Sequence, residues 1–206
     1  MTPTQAGLFG TSREAPPSYT VFWTNDYCRQ LRKAGDLGKP LRIVFGGSHQ
    51  SQPALTKFGV HPGDWVYPIR VDKGQLFMVA GMQVKSFVGV SEYVSDILRL
   101  PVAYNGLHTF QLIDRLKSDH PEWGHLLPWG CLVEVAVGHN GASIRLDRLV
   151  PRDVVEQLRF VSRRGERPIK HLEAGVIKSS MGLQGGVYRL STASALEFAR
   201  LLAAVP

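Results

Sequence analysis

The chain has 206 residues but only two cysteines, Cys28 and Cys131, which are far apart and show no metal-ligand spacing. One cysteine pair does not provide the disulfide framework of a small secreted domain, and free thiols are the ordinary state in the cytosol. No apolar run approaches the ~20 residues that a membrane-spanning helix needs, and the N-terminus lacks the apolar stretch of a secretory signal. These absences predict a cytoplasmic protein that has no membrane partner.

Motifs that carry catalysis or bind metals are absent as well. The Gly-rich loop at residues 46–53 lacks the Lys and the Ser/Thr of a P-loop, and neither a Gly-x-Ser-x-Gly elbow nor a His-Glu-x-x-His helix occurs. His108, His120 and His125 are near one another, but no two have the i, i+4 spacing of a helical metal site, and no cysteine or carboxylate cluster joins them. We therefore expect no metal and no cofactor, and a binding protein is favoured over an enzyme.

What the chain does contain is typical of one packed domain. Hydrophobic residues make up 44% of the chain and charged residues 20%, which suits a folded core and excludes global disorder. The length favours a single domain with or without insertions. Residues 1–18, which include Pro16 and Pro17, are predicted to be a flexible N-terminal arm, and residues 19–206 a single domain.

Positive charge is concentrated in two stretches. Lys and Arg total 24 against 17 acidic residues, and residues 29–42 and 159–170 each contain five basic residues and one acidic residue. If both stretches lie on one face, they form an electrostatic footprint for nucleic-acid phosphates; the alternative is a pair of solvated surface helices. The predicted phosphate contacts are Arg29, Arg32, Lys33, Arg163, Arg164, Arg167 and Lys170.

The first half of the chain predicts a strand, a helix and a hairpin. Residues 19–24 are a strand by composition, and Asn25 or Asp26 is placed to cap the helix that follows. Two strand-like runs, residues 65–71 and 75–84, flank a short Gly-containing reversal. This arrangement is the sequence signature of a β-hairpin.

The second half predicts another hairpin and two helices. Residues 131–138 and 142–149 are strand-like and are separated by an Asn-Gly pair, which favours a tight hairpin. A helix is expected to start near Pro151 and to run to about Phe160. Apolar residues at helical spacing predict a closing helix after residue 191, and Ser191 and Ser194 are equally good caps for it.

Several segments resemble the PUA-like superfamily and are most similar to EVE domain proteins. The run Gly-Asp-Trp-Val-Tyr at residues 63–67 resembles the first strand of the family's hairpin, and residues 184–191 resemble its closing segment. Residues 22–25, where an aromatic pair ends a strand, and residues 149–158, which lead through Val-Pro into a short helix, are also similar. The four pieces occur in the family's order across nearly the whole chain.

The resemblance implies an α+β fold, a small twisted mixed β-barrel with surrounding helices, and an inserted segment at about residues 98–128. EVE domains and the related YTH, ASCH and SRA domains are similar in having a pocket at one side of the barrel, and the binding members hold a modified or flipped base there with aromatic and polar side chains. Such a base needs a π-face, worth ~1–3 kcal/mol per base, and hydrogen bonds to its Watson–Crick edge. The predicted base-pocket residues are Trp23, Thr24, Asn25, Trp65, Tyr67 and Gln184.

The function expected from these features is a nucleic-acid-binding module that reads a modified or extruded base in DNA or RNA. Two alternatives remain open. One is an ASCH-like ribonuclease, which would recruit Lys85, Tyr93, Arg163 and Lys170 around a phosphate. The other is a protein-interaction or accessory factor that uses the inserted segment as its interface. No residue is assigned a catalytic role.

Overall fold

The computed structural model describes residues 15–48, 53–93, 115–116, 118–119 and 132–204. Seven strands form one mixed sheet. They are β1 (Ser18–Phe22), β2 (Ile43–Gly47), β3 (Trp65–Asp72), β4 (Gln75–Met78), β5 (Met82–Gly89), β6 (Leu132–His139) and, after two small two-stranded sheets, β11 (Val187–Arg189). The small sheets are β7 (Phe160–Ser162) with β8 (Gly165–Arg167), and β9 (Leu172–Glu173) with β10 (Val176–Ile177).

Helical segments connect and cover these strands. The first helix is Asn25–Lys33 and the closing helix is Thr192–Ala203. Shorter helical segments are Val90–Glu92, Arg152–Gln157 and the 3₁₀ turns Thr56–Phe58 and Ser180–Gly182. Among the described residues, no helix is long and apolar enough to cross a membrane.

The strand order in the main sheet is β11-β1-β3-β5-β6-β2. β4 pairs with residues 69–72, the C-terminal half of β3. β1 and β3 are parallel, while the other pairs are antiparallel. The predicted α+β class with a mixed sheet is therefore confirmed. The strand path is open, however, because the end strands β11 and β2 do not pair with each other in the described part of the chain, so the expected closed barrel is not seen there.

The predicted hairpin around residue 73 is confirmed. Asp72 pairs with Gln75, and both turn residues have positive φ, 48° at Lys73 and 77° at Gly74, as in the two-residue turns that suit the twist of a hairpin. The second predicted run is divided into β4 and β5. The interruption occurs at Val79, whose N–H donates to Pro68 O while its carbonyl accepts from the Arg145 N–H, both at 2.8 Å.

Both faces of the sheet are buried. Along β3, Val66 packs into a first core, while Tyr67 and Ile69 pack into a second core, as the period-2 alternation of a strand requires. The first helix contributes Leu31 to the first core, and the closing helix contributes Phe198 to the second. The sheet therefore separates two hydrophobic cores.

The helix caps differ in part from the expectation. Thr24, rather than Asn25 or Asp26, caps the first helix, since its side-chain oxygen accepts from the Tyr27 N–H at 3.2 Å. At the closing helix the two candidates have separate roles. Ser191 is the cap and accepts from the N–H of Ser194 at 3.4 Å, while the Ser194 hydroxyl accepts from the Arg159 N–H at 2.9 Å.

The predicted second hairpin is wrong. β6 ends at His139, and residues 142–149 do not return along it. They lie between two other backbones instead: Leu41 N donates to Ala142 O at 2.9 Å, and Arg145 N donates to Val79 O at 2.8 Å. Gly141 permits this path, because a Cβ there would lie 1.8 Å from the carbonyl oxygen of Leu41.

The region that follows is also less helical than expected. The helix ends at Gln157 because Leu158 adopts an extended backbone, with ψ of 129°, and Phe160 then begins β7. The second basic stretch consequently lies on and after the β7–β8 hairpin and is not a surface helix.

Some expectations fall on residues outside the described part of the chain. These are residues 1–14 of the predicted arm, most of the predicted insertion at 98–128, the three histidines His108, His120 and His125, and Cys131. Ser18, which was included in the arm, is the first residue of β1.

Replacing Phe198 by Ala should lower the free energy of unfolding by about 3–5 kcal/mol, because truncating a fully buried aromatic side chain leaves a cavity. The matched control is Leu196→Ala on the same helix. Leu196 is 60% exposed, so its truncation should change stability by only about 0.5 kcal/mol. Denaturant unfolding measures both variants, and equal losses would contradict the packing of the closing helix.

Candidate functional site

The predicted base-pocket residues do not line one common cavity. Trp23 lines a cavity on the first core, while Trp65 and Tyr67 line another on the second core. The reason is register: β1 and β3 are parallel with Ser18 opposite Trp65, so Trp23 and Trp65 point to opposite faces of the sheet. The two tryptophans therefore belong to different sites.

The cavity that contains Trp23, called here the aromatic pocket, has a volume of about 440 Å³. Three aromatic side chains line it, those of Trp23, Tyr27 and Tyr93, together with Leu31 and Ile144. The rings of Trp23 and Tyr27 meet edge to face, with centroids 4.7 Å apart and planes at 83°. This edge-to-face arrangement is a preferred geometry for aromatic pairs.

The aromatic pocket also contains hydrogen-bonding groups that the described residues do not use. The indole N–H of Trp23 and the hydroxyls of Tyr27 and Tyr93 make no hydrogen bond to any other described residue. Burial raises the pKa of Tyr27 and of Tyr93, so both hydroxyls stay protonated at neutral pH. The pocket thus combines π-surfaces with donors and acceptors for a ligand.

Charged residues complete the lining of the aromatic pocket. Lys39 forms an ion pair with Asp36, with Nζ and Oδ1 2.7 Å apart. Arg42 is exposed and makes no ion pair with another described residue. A ligand that carries negative charge is therefore favoured beside the pocket.

Two of the predicted base contacts are already engaged within the protein. Thr24 caps the first helix. The side-chain amide of Asn25 donates to Val71 O, and its oxygen accepts from Nη1 of Arg70, both at 3.1 Å. In this arrangement Thr24 and Asn25 fix the start of the first helix against β3, and neither lines the aromatic pocket.

Trp65 and Tyr67 line a larger cavity of about 620 Å³, called here the helix cavity because the closing helix forms much of its wall. Their rings stack with centroids 5.9 Å apart and planes at 16°, and Tyr67 also meets Phe198 edge to face. Burial raises the pKa of Tyr67 to about 12, and a hydrogen bond with Ser18 opposes this shift. The lining is predominantly apolar.

Gln184 belongs to neither cavity. It is exposed, and its side-chain amide donates to the Ser180 hydroxyl at 2.9 Å. The contact lies within one turn of the chain, so Gln184 stabilises its own loop in this structure.

The two basic stretches lie on elements that cover opposite faces of the sheet. Arg29, Arg32 and Lys33 are exposed on the first helix, which packs into the first core. Arg163 and Arg164 form the tip of the β7–β8 hairpin, whose Phe160 packs into the second core. Arg167 lies over the ring of Tyr188 at 4.9 Å, and Lys170 is exposed in the turn before β9. The structure does not bring the two stretches together.

A third cavity combines Arg32, one of the predicted phosphate contacts, with three arginines that the sequence pattern does not indicate. This arginine groove has a volume of about 970 Å³ and is lined by Arg32, Arg70, Arg145 and Arg148. The sequence signal for it is the run Arg-Leu-Asp-Arg at residues 145–148, which lies within the strand-like pattern of residues 142–149. Arg70 comes from β3, so no window along the sequence places it beside the others.

The arginine groove adjoins the aromatic pocket. Ile144 lines both cavities, and the turn at residues 36–39 contributes Asp36 and Lys39 to the pocket and Leu37 and Gly38 to the groove. The two cavities therefore share a wall.

The residues proposed for a ribonuclease site are dispersed. Lys85 lies on β5, Tyr93 in the aromatic pocket, Arg163 at the β7–β8 tip and Lys170 in a turn before β9. In the part of the chain that the structure describes, no three His, Cys, Asp or Glu side chains are grouped to hold a metal ion.

Fold and cavities together define an α+β protein with a mixed sheet, an aromatic pocket and an adjoining arginine groove. Comparison of the chain with family models, with curated proteins and with solved structures gave no match.

The free energy of unfolding should fall as the pH rises from about 10 to 12, in part because of Tyr67. Its pKa is about 12 in the folded chain against an ordinary value of 10.0, so its contribution is complete below pH 10 and is lost as the pH rises to 12. The Tyr67→Phe variant has no hydroxyl to ionise at this position. Its free energy of unfolding should therefore fall by about 2–3 kcal/mol less than that of the wild-type protein over this pH range. Urea unfolding at several pH values tests this, and parallel curves for the two proteins would contradict it.

Proposed function

We propose that this protein is a PUA-like nucleic-acid-binding module that holds a modified or extruded base of DNA or RNA in the aromatic pocket. The observation that carries the proposal is the pocket itself. Three aromatic rings line it, and the indole N–H and two hydroxyls on those rings have no partner among the described residues. An arginine-lined groove lies immediately beside it.

The chemistry of the pocket suits a nucleobase. A base removed from its stack loses about 1–3 kcal/mol of stacking unless an aromatic surface replaces it, and the rings that line the pocket, those of Trp23, Tyr27 and Tyr93, are the candidates for that surface. Its Watson–Crick edge requires donors and acceptors, which the tyrosine hydroxyls supply. The volume of about 440 Å³ lies within the usual range of small-molecule sites, roughly 300–1,000 Å³.

The charge around the pocket favours a base that belongs to a strand over a neutral free ligand. Lys39 and Arg42 line the pocket, and Arg32 and Lys33 are exposed on the adjacent first helix. The whole chain carries a net charge of +7. Such groups attract phosphates through an electrostatic term that weakens as salt is added.

The placement of the resembling segments supports the PUA-like part of the proposal. Residues 63–67 enter β3, residues 22–25 end β1, and residues 184–191 contain β11. These three strands are adjacent in the sheet, in the order β11-β1-β3. Motifs that are distant in the sequence thus form one continuous part of the structure. The same proposal includes closure of the sheet into a barrel and a cytoplasmic location of the protein.

Binding without chemistry is favoured over the ribonuclease alternative. The groups that a nuclease would need lie on separate elements, whereas catalysis of this kind requires them to converge on one phosphate. The alternative of an accessory factor rests on the segment at 98–128 and has no observation in its favour among the described residues.

Tyr27→Phe should weaken binding of the recognised base about 3- to 10-fold, because it removes one hydroxyl from the pocket and keeps the ring. Fluorescence anisotropy with short DNA and RNA strands, plain and carrying methylated or hydroxymethylated bases, measures the effect at two salt concentrations. The control is Tyr188→Phe, on β11 and outside the pocket, which should bind like the unmodified protein.

Discrimination between modified and plain strands that persists at the higher salt, and that Tyr27→Phe reduces, is the expected result. Binding that is equal for all strands and disappears at the higher salt would reflect the basic residues alone. That result would rule out base reading.

A further inference from the structure

Arg148 is the most unusual charged residue of the arginine groove. It is only 8% exposed, yet its guanidinium makes no hydrogen bond or ion pair with a carboxylate of any residue that the structure describes. Nη1 donates to the carbonyl oxygens of Met78 and Val79 at 3.5 and 3.3 Å, and Nε is buried without a partner among the described residues. The guanidinium of Arg148 therefore has an N–H donor, that of Nε, which no described residue uses.

An unpaired buried charge is costly, because desolvation is not repaid by an opposite charge. Burial lowers the pKa of Arg148, and the neighbouring Arg145 lowers it further, while Asp147 opposes both. Asp147 is already engaged, since Arg145 donates to its two carboxylate oxygens at 3.1 and 3.3 Å. The groove therefore lacks a free acidic partner for Arg148 among the residues that line it.

The remaining arginines of the groove add to the positive charge. Arg70 is held in place by Asn25, by the carbonyl of Leu146 and by an ion pair with Asp72, in which Nη2 and Oδ2 are 3.4 Å apart. Its guanidinium lies 4.7 Å from the centre of the Phe77 ring. Arg32 is exposed and makes no ion pair with a described residue. The lining contains four arginines and one aspartate; Asp147 pairs with Arg145, Asp72 outside the lining pairs with Arg70, and Arg32 and Arg148 have no carboxylate partner among the described residues.

The backbone that carries two of these arginines is fixed. Arg145 N donates to Val79 O at 2.8 Å, and Met78 N donates to Arg148 O at 2.9 Å. A ligand that binds here does not have to order the segment, and such preorganisation reduces the entropic cost of binding.

We propose that the arginine groove is a phosphate-binding site built around Arg148. Guanidinium groups match phosphate oxygens through paired hydrogen bonds, and an anion would supply the opposite charge that Arg148 lacks. Because the groove shares Ile144 and the turn at 36–39 with the aromatic pocket, the groove takes phosphodiester groups of the strand whose base enters the pocket. This last step rests on the proposed function.

Affinity measurements on three probes test the site: a single-stranded oligonucleotide, the same strand with a 5′-phosphate, and inorganic pyrophosphate. Arg148→Gln should weaken oligonucleotide binding about 10-fold. It should also make the slope of log K against log salt concentration less steep by about 1. Arg32→Gln, an exposed position that does not risk the fold, should act in the same direction. Arg152→Gln removes one charge from an exposed residue outside the groove and is the matched control.

The results separate the two proposals. Loss of affinity and slope in Arg148→Gln and Arg32→Gln, with base discrimination retained, supports a phosphodiester site. If the oligonucleotide binds only when it carries a 5′-phosphate, the groove binds the end of a strand. That result would overturn the proposal that internal phosphodiester groups bind there. Pyrophosphate binding that depends on Arg148, without oligonucleotide binding, would retain the phosphate site and reject the proposed function. If the salt dependence of log K in both Arg148→Gln and Arg32→Gln equals that of Arg152→Gln, the groove is not a phosphate-binding site.

Discussion

The path of residues 142–150 between two other backbones is the constraint on which both candidate cavities depend. On one side Ala142 and Ile144 exchange hydrogen bonds with residues 39–41, and on the other Arg145 and Arg148 bond with residues 78–79. Buried backbone groups must find partners, and here the partners come from distant parts of the chain. Gly141 makes the close approach possible, because any side chain would collide with the Leu41 carbonyl.

From this constraint follows the arrangement of charge and aromatic surface. The segment places Ile144 in the wall between the aromatic pocket and the arginine groove, and it presents Arg145 and Arg148 to the groove. The first helix supplies the other side, with Tyr27 and Leu31 toward the pocket and Arg32 toward the groove. A base and its flanking phosphates require these two kinds of surface next to each other.

Local signals predicted local structure well. The reversal at Lys73-Gly74 and the apolar spacing of the closing helix gave the hairpin and the helix, because turn chemistry and periodicity act over a few residues. The Asn-Gly pair before residue 142 misled for the opposite reason: Asn140 does have positive φ, but long-range bonds to residues 39–41 and 78–81 replace the hairpin. Period-2 alternation along β3 puts Trp65 and Tyr67 on one face, whereas the parallel register that sends Trp23 to the other face depends on pairing between distant strands.

The most direct test of a base in the aromatic pocket is the indole N–H spectrum of ¹⁵N-labelled protein. The chain has four tryptophans, and Trp23→Phe and Trp65→Phe would identify two of the four signals. When an oligonucleotide that binds is titrated in, the Trp23 signal should shift in a saturable way and the Trp65 signal should change little, because Trp23 lines the aromatic pocket and Trp65 does not. A shift at Trp65 with Trp23 unchanged, or binding that moves neither signal, would contradict it.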